Sequence, residues 1–160
     1  DRFGIPLQLE FYQPVDLQKI LILNSKKLDI QLDDNASLEI AKRSRGTPRI
    51  AIRLLKRIVD FSIVQNRSII DMDIMMDSLK QMQIDKEGLD EMDRKYLKCI
   101  ANDYNGGPVG IETLSATLLE QRDIIEDVIE PYLMQKGLVQ RTSRGRLLSQ
   151  KALDHIVREV

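Results

Sequence analysis

A run of helical segments ending in two short strands, over residues 90–157, constrains the fold of this chain more than any other feature. Apolar residues recur with a helical period in three segments, and Gly137 stops the last of them. Two strand-like segments follow, joined by a turn in which Gly145 can adopt a positive φ. The predicted elements are helices from Asp90 to about Asn102, Ile111 to Leu118 and Asp123 to Lys136, strands from Leu138 to Thr142 and Arg146 to Ser149, and a last helix from Ala152 to Val157. Three helices followed by a hairpin predict a winged-helix domain.

The first half of the chain predicts a small helical bundle over residues 12–82. Its clearest local signal is Gly46-Thr47-Pro48, in which Gly46 ends one helix, Thr47 caps the next and Pro48 fits its first turn. The predicted helices run from Pro14 to Leu28, from an N-cap near Asp33 to Arg43, from Pro48 to about Val64, and onward from an N-cap at Asp71. A short strand is predicted before them, where apolar and polar residues alternate from Leu7 to Phe11.

The polar stretch over residues 83–89 separates the two halves and predicts a linker between domains. The predicted fold class is therefore mainly α, with a small helical bundle followed by a winged-helix domain over residues 85–160 that carries a β-hairpin wing. A chain of 160 residues can supply two such small domains, but it is too short for a large catalytic architecture as well.

Composition excludes several classes of function. Hydrophobic residues make up 42% and charged residues 31%, which is typical of a folded globular chain rather than a disordered one. No apolar run is long enough for a bilayer and no signal peptide is recognisable, so we expect a cytoplasmic protein without a membrane partner. A single cysteine, Cys99, and a single histidine, His155, can form neither an internal disulfide nor a structural zinc site, so no metal site is predicted.

Charge is distributed unevenly, and this directs attention to the hairpin. Residues 111–137 hold six acidic and two basic residues. The helix that would normally read the major groove of DNA is therefore expected to display the carboxylates of Asp123, Glu126, Asp127 and Glu130. Repulsion from phosphates makes that helix a poor reader of bases. Arg141 and Arg146 lie on the two strands and Arg144 lies at the turn, which predicts contact with the DNA backbone. The alternative is that these arginines only keep an exposed turn solvated.

A basic block occupies residues 40–67, where eight basic residues stand against one acidic residue. Composition alone does not distinguish a solvated helix face from a functional surface. Arg49, one residue after Pro48, lies in the first turn of a predicted helix, where the helix dipole and free amides attract anions. A nucleotide phosphate that the guanidinium contacts bidentately is the natural ligand for such a residue.

Seven motifs follow one another along the chain: Arg2-Phe3-Gly4-Ile5, Leu9-Glu10-Phe11-Tyr12, Arg45-Gly46-Thr47-Pro48-Arg49-Ile50-Ala51, Met92-Asp93-Arg94-Lys95, Gly106-Gly107-Pro108-Val109-Gly110, Ile125-Glu126-Asp127-Val128-Ile129-Glu130-Pro131-Tyr132-Leu133 and Gln140-Arg141-Thr142-Ser143-Arg144-Gly145-Arg146. Together they resemble the RuvB family of bacterial Holliday-junction branch-migration motors, and the resemblance covers essentially all 160 residues in order. The chain departs from the family at Ser143, where proline is usual.

The resemblance implies roles for domains and residues. Residues 1–11 would end the large domain of an AAA+ ATPase, residues 12–82 would form its small lid domain, and residues 85–160 would form the winged-helix head. The implied nucleotide-binding residues are Arg2, Tyr12 and Arg49, the last as a sensor of the terminal phosphate. The implied DNA-contacting residues are Arg141 and Arg146, with Arg144 beside them.

The resemblance also implies an activity for a longer protein. That protein would be an ATP-dependent DNA helicase and hexamer, using ATP with Mg²⁺, that migrates Holliday junctions in recombination and repair with RuvA and the RuvC resolvase. The nucleotide-binding domain with its Walker motifs would lie before Asp1, so this chain alone is expected to be inactive and to bind no cofactor firmly. The rival hypotheses are a stand-alone winged-helix DNA-binding regulator with a helical dimerisation bundle, and a protein-interaction adaptor without a DNA role.

Overall fold

The structure, a computed structural model, describes the backbone of residues 10–158 and the side chains of residues 10–156. The chain divides into two compact units, Asp1–Gly88 and Leu89–Val160. Each unit has its own cluster of buried apolar side chains. The predicted strand from Leu7 to Phe11 and the candidate residue Arg2 lie outside the described residues, except for the end of that strand.

The first unit is a bundle of four helices. They are α1 (Pro14–Lys27), α2 (Asp34–Lys42), α3 (Pro48–Val64) and α4 (Met72–Gln81), and two short strands, β1 (Gln31–Leu32) and β2 (Ile69–Ile70), pair in parallel. Its core contains fully buried side chains from every helix, among them Leu17, Leu21, Ile40, Leu55, Ile58 and Met75. All four helices were predicted from the sequence, whereas the two-residue strands were not.

Caps and prolines explain where these helices begin. Asp33 precedes α2 and its carboxylate accepts from the amides of Asn35 and Ala36, at 2.9 and 3.1 Å. Asp71 caps α4 through the Ile74 amide, at 3.0 Å. Thr47 is the N-cap residue of α3, but its side chain makes no capping hydrogen bond, and its hydroxyl donates to the Arg45 carbonyl. Pro48 in the first turn therefore does more than Thr47 to start that helix.

The second unit is the predicted winged helix. It contains α5 (Glu91–Asp103), α6 (Ile111–Leu118), a helical segment described below, the hairpin strands β3 (Val139–Thr142) and β4 (Gly145–Leu148), and α9 (Gln150–Arg158). The strands are antiparallel, with Arg141 opposite Arg146 and Thr142 opposite Gly145. The turn is therefore Ser143-Arg144. The sequence had indicated that Gly145 is part of the turn, but Gly145 is the first residue of β4.

The segment after Gln121 is one helical stretch with a wide turn in the middle. It consists of α7 (Arg122–Ile124), a π turn (Ile125–Ile129) and α8 (Glu130–Gln135). The Glu130 amide donates to the Ile125 carbonyl, five residues back. Pro131 has no amide hydrogen and its ring crowds the preceding turn, so the helix widens just before it. The sequence predicted a regular helix here and did not predict the π turn.

Residues 106–109 hold β4, the second strand of the hairpin, through backbone hydrogen bonds. Val109 and Arg146 exchange two backbone hydrogen bonds, of 3.0 and 2.8 Å, and the Leu148 amide donates to the Gly106 carbonyl at 2.9 Å. Gly107 adopts φ +98°, and a Cβ there would lie 2.3 Å from the Arg146 carbonyl oxygen. The glycine-rich loop is thus a packing element against β4.

Candidate functional sites

Arg49, the sensor candidate, lies at the start of α3, immediately after Pro48. Its side chain is exposed and makes no hydrogen bond or ion pair with another described residue. The start of a helix carries a partial positive charge and amides without intrahelical acceptors. An unpaired guanidinium at this place is therefore arranged to meet an anion.

Four cations extend from that point along one exposed flank of α3. Arg49, Arg53, Lys56 and Arg57 line an open groove together with Ile52. Other cations of the basic block have counter-charges: Lys42 and Arg43 contact Glu39, and Arg67 contacts Asp71. Hydrogen bonds from Lys42 and then Arg43 lower the pKa of Glu39. The basic block is thus part paired surface and part unpaired flank, which composition could not separate.

Tyr12, the second nucleotide-binding candidate within the described residues, lies beside the same turn. Its backbone amide donates to the Gly46 carbonyl at 2.9 Å, and its side chain is 49% exposed. Because Gly46 lies two residues before Pro48, this hydrogen bond brings Tyr12 to the end of α3 that carries Arg49. The exposed ring leaves a flat apolar surface near the candidate anion site.

In the second unit, two of the wing arginines, Arg141 and Arg146, contact the buried carboxylate of Glu130. The side chain of Glu130 has no exposed surface, and Oε1 accepts hydrogen bonds from the Tyr96 hydroxyl at 2.9 Å and from Arg146 Nε at 2.7 Å. Its Oε2 accepts from Nε and Nη2 of Arg141, at 3.0 and 2.6 Å. One buried carboxylate therefore holds both strands of the hairpin.

Glu126 extends this ion cluster one turn back along the helix. It accepts from Arg146 Nη2 at 2.7 Å and from Arg122 Nε at 2.9 Å. Arg122 also contacts Glu112, at 3.3 Å. The three arginines and three glutamates have no net charge when all are ionised. The cluster is consequently an electrically neutral set of ion pairs that attaches the hairpin to the helix, rather than a basic patch.

The pKa values in the cluster follow from these contacts. Burial opposes ionisation of Glu130, but hydrogen bonds from Arg146, Arg141 and Tyr96 outweigh it and the pKa lies below 4.5. Hydrogen bonds from Arg122 and Arg146 likewise lower the pKa of Glu126. Burial, followed by the charge of Glu130, raises the pKa of Tyr96. At neutral pH Glu126 and Glu130 are therefore ionised and Tyr96 is neutral, as the hydrogen bonds require.

The three wing arginines differ in accessibility. The side chain of Arg146 is 9% exposed, and that of Arg141 is 44% exposed. Arg144 at the turn is exposed, and its side chain makes no hydrogen bond or ion pair with any residue in the described part of the chain. The structure brings the predicted residues Arg141 and Arg146 together on one face of the hairpin and leaves Arg144 alone at the tip.

The expectation that Glu130 faces solvent on an acidic helix was wrong. Glu130 points into the domain because it lies among the buried residues Ile129, Tyr132 and Leu133. Tyr96 was missed as a functional partner, although a buried tyrosine hydroxyl needs a hydrogen-bond acceptor and this one could have been sought. The exposed acidic residues of the helix, Asp123 and Asp127, fit the original interpretation.

Comparison with known proteins assigns each of the two units to a domain family. The model of the RuvB AAA lid domain matches residues 12–85, and the model of the RuvB C-terminal winged helix domain matches residues 86–157. An AAA lid followed by a winged helix defines the class of the chain as the lid and winged-helix part of an AAA+ protein. Within that class, the chain belongs to the RuvB family.

Individual relatives agree with this assignment. The Holliday junction branch migration complex subunit RuvB of Rickettsia africae (strain ESF-5) is 56% identical over 156 residues, which is 98% of this chain and 46% of the relative. The corresponding subunit of Paramagnetospirillum magneticum is 49% identical over 98% of this chain and 45% of the relative. The solved Thermotoga maritima RuvB Holliday junction branch migration motor is 47% identical, with a TM-score of 0.91 over 99% of this chain and 53% of that one. The chain spans about half the length of these proteins.

The described residues contain neither a candidate metal site nor a candidate membrane-spanning helix. No group of three or more His, Cys, Asp or Glu side chains among them could hold a metal ion. Nor does any helix in the described part of the chain have the length and apolar character needed to cross a membrane.

Proposed function

We propose that this chain is the lid and DNA-binding head of an ATP-driven hexameric motor that migrates Holliday junctions in homologous recombination and DNA repair. The observation that carries the proposal is the succession of a RuvB lid and a RuvB winged helix over residues 12–157. Relatives matched over 98% of this chain are branch migration subunits by name. The family match favours the motor over a stand-alone regulator, because the bundle corresponds to a lid rather than to a dimerisation element.

In the lid, we propose that Arg49 contacts the terminal phosphate of ATP and that Tyr12 lines the nucleotide pocket. An exposed, unpaired guanidinium at the start of α3 fits a polyphosphate. Bound ATP with Mg²⁺ would supply the phosphoryl group for hydrolysis. Arg49 would neutralise charge on that group. Helix α3 would transmit the position of Arg49 to the rest of the bundle. Arg2 is proposed as a further nucleotide contact on the strength of the family resemblance.

In the head, we propose that the wing carrying Arg141, Arg144 and Arg146 meets the backbone of duplex DNA. A hairpin with arginines on both strands and at the turn offers donors to phosphates without a set of base-reading side chains. The acidic residues that remain exposed on the helix, Asp123 and Asp127, oppose insertion of that helix into a groove. Binding should therefore depend strongly on salt and weakly on sequence.

The remaining features of the proposal belong to the longer protein. The large ATPase domain, ending at residue 11, would hold the Walker motifs, and residues 83–89 would link the lid to the head. The protein would assemble as a hexamer, act with RuvA and the RuvC resolvase, and work in the bacterial cytoplasm. The present chain, without that ATPase domain, is expected not to hydrolyse ATP.

Fluorescence anisotropy with the 160-residue chain tests the DNA-binding part. We expect 30-bp duplexes of unrelated sequence to bind with similar affinity at 50 mM salt, and a four-way junction to bind at least as well. Affinity should fall steeply as salt rises to 200 mM. A marked preference for one duplex sequence would support the regulator instead. Absence of duplex binding at low salt would contradict a DNA role and support an adaptor.

A further inference from the structure

The hairpin places two like charges directly opposite each other, and Glu130 is what makes this arrangement stable. Arg141 and Arg146 are register partners on antiparallel strands. Like charges in such positions repel and destabilise a hairpin. Glu130 lies between them and accepts from both guanidiniums, at 2.6 Å from Arg141 Nη2 to Oε2 and at 2.7 Å from Arg146 Nε to Oε1. The carboxylate therefore decides the direction in which each arginine points.

The two arginines are held in different ways. Arg146 uses Nε on Glu130 and Nη2 on both Glu126 and Glu130, and little of its side chain is exposed. Arg141 donates Nε and Nη2 to a single oxygen of Glu130, and its Nη2 forms a longer ion pair with Glu126 at 3.8 Å, so the edge that carries Nη1 makes no hydrogen bond or ion pair of its own through Nη1 with a described residue. Because 44% of this side chain is exposed, the free edge can reach a ligand in solvent. A guanidinium has two edges, so it can hold a carboxylate and a phosphate at once.

We propose that Glu130 is a positioning residue for DNA binding, which holds Arg141 with its free edge toward solvent as a phosphate contact. Arg146 is then committed to the carboxylates and fixes the wing on the helix, and Arg144 supplies the second phosphate contact at the tip. Tyr96 keeps Glu130 in place from the core side through its 2.9 Å hydrogen bond. The inference rests on the proposed function, because it assumes that the wing meets DNA.

A charge-matched pair of variants tests the inference. Glu130→Gln and Asp127→Asn each remove one negative charge from the same helical segment, but Asp127 is exposed and bonds to no other described residue. If Glu130 only repelled DNA, both variants would bind duplex more tightly. We expect Asp127→Asn to bind at least as well as the unaltered chain, and Glu130→Gln to bind about tenfold more weakly despite its extra positive charge. Equal or tighter binding by Glu130→Gln would overturn the inference.

A second pair keeps the charge constant and also covers the case in which Glu130→Gln unfolds the head. In Arg141→Lys the ammonium is a single point charge that Glu130 neutralises, so no second edge remains for phosphate. We expect affinity to fall about tenfold, and the slope of log K against log salt to become less steep by about 0.9. Lys95→Arg also keeps the charge and lies exposed on α5, outside the proposed DNA contacts, so it should bind within about twofold of the unaltered chain. Binding by Arg141→Lys equal to that of Lys95→Arg would overturn the inference.

The measurements separate failure of the inference from failure of the proposed function. Anisotropy with a 30-bp duplex at 50–200 mM salt provides both affinity and slope, and amide hydrogen exchange reports whether each head remains folded. If the unaltered chain binds no duplex at 50 mM salt, the proposed DNA function is wrong and the inference goes with it. If the unaltered chain binds and the variants do not differ as expected, only the role of Glu130 is wrong.

Discussion

Replacing Arg146 with methionine should destabilise the head far more than the same change at Arg144. Methionine keeps an unbranched side chain of similar length but removes the guanidinium. At Arg146 the change deletes hydrogen bonds of 2.7 Å to Glu130, 2.7 Å to Glu126 and 3.3 Å to Glu130. At Arg144 it deletes no side-chain contact with a described residue. Both variants lose one positive charge from the same hairpin, so their difference isolates the buried contacts.

The structure sets the expected size of that difference. Removing one partner of a buried ion pair costs about 3–5 kcal/mol. Glu130 keeps Arg141 and Tyr96, and Glu126 keeps Arg122, so neither carboxylate loses every partner. We therefore expect the lower end, roughly 3 kcal/mol, for Arg146→Met. A surface change such as Arg144→Met should cost no more than about 0.5 kcal/mol. A domain of this size has a free energy of unfolding of roughly 4–11 kcal/mol, so the variant head should still fold.

Amide hydrogen exchange on the intact chain measures the two units separately. A loss of roughly 3 kcal/mol should speed exchange of protected α5 amides, such as those of Leu97 and Ile100, on the order of 100-fold. Amides of α3 in the lid belong to a separate core and serve as the internal control. Arg144→Met should leave both sets within a few-fold of the unaltered chain. Acceleration below about fivefold in Arg146→Met, or equal effects of the two variants, would refute the account of the cluster.

Three further outcomes are expected. In the longer protein with its ATPase domain, Arg49→Ala should slow ATP hydrolysis by roughly 10³-fold while leaving duplex affinity unchanged, and a normal turnover rate would exclude the sensor role. The native pKa values of Glu126 and Glu130 lie below 4.5, so the contribution of these two carboxylates to the free energy of unfolding is complete above pH 4.5 and is lost as pH falls through the native pKa values. Urea unfolding followed by tyrosine fluorescence should show this loss of stability at low pH. The pH dependence should be weaker in Glu126→Gln than in the unaltered chain. Gly107→Ala should destabilise the head by about 2 kcal/mol or more, and Gly106→Ala by about 1 kcal/mol. Both glycines have positive φ, but only a Cβ at Gly107 would clash with the Arg146 carbonyl. Equal losses of stability in thermal unfolding would argue against the clash.

Local sequence signals were sufficient to locate the helices and the hairpin. Acidic caps at Asp33 and Asp71 and prolines at the starts of α1 and α3 act on neighbouring backbone, so they can be interpreted without knowledge of the fold. The short parallel pair β1–β2 could not be found in this way. It joins Gln31 to Ile69 across a long stretch of chain, and two residues are too few for a recognisable alternation.

The candidate site was predicted only in part, for a similar reason. The arginines of the wing could be identified as a local group, and Arg49 could be placed at a helix start. Their partners could not, because Tyr96 and Glu130 are 34 residues apart and Glu130 and Arg146 are 16 apart. A charge count assigned Glu130 to an acidic surface, whereas packing beside Ile129 and Leu133 places it in the core. Only tertiary structure distinguishes a carboxylate that repels DNA from one that orients an arginine.

Neutralisation of the wing cluster has a consequence for how tightly one head can bind. With Arg146 and Arg122 engaged by carboxylates, the wing has about two phosphate contacts, Arg141 and Arg144, so the slope of log K against log salt for the isolated chain should be near −1.8. Such a contact is weak by itself. In the proposed hexamer several heads act on one duplex, and linkage converts later contacts into intramolecular ones with a high effective concentration. Each head can then release and rebind while the others hold the DNA. A slope much steeper than −1.8 for the monomeric chain would mean that further cations bind phosphate. It would contradict the assignment of the phosphate contacts of one head to Arg141 and Arg144.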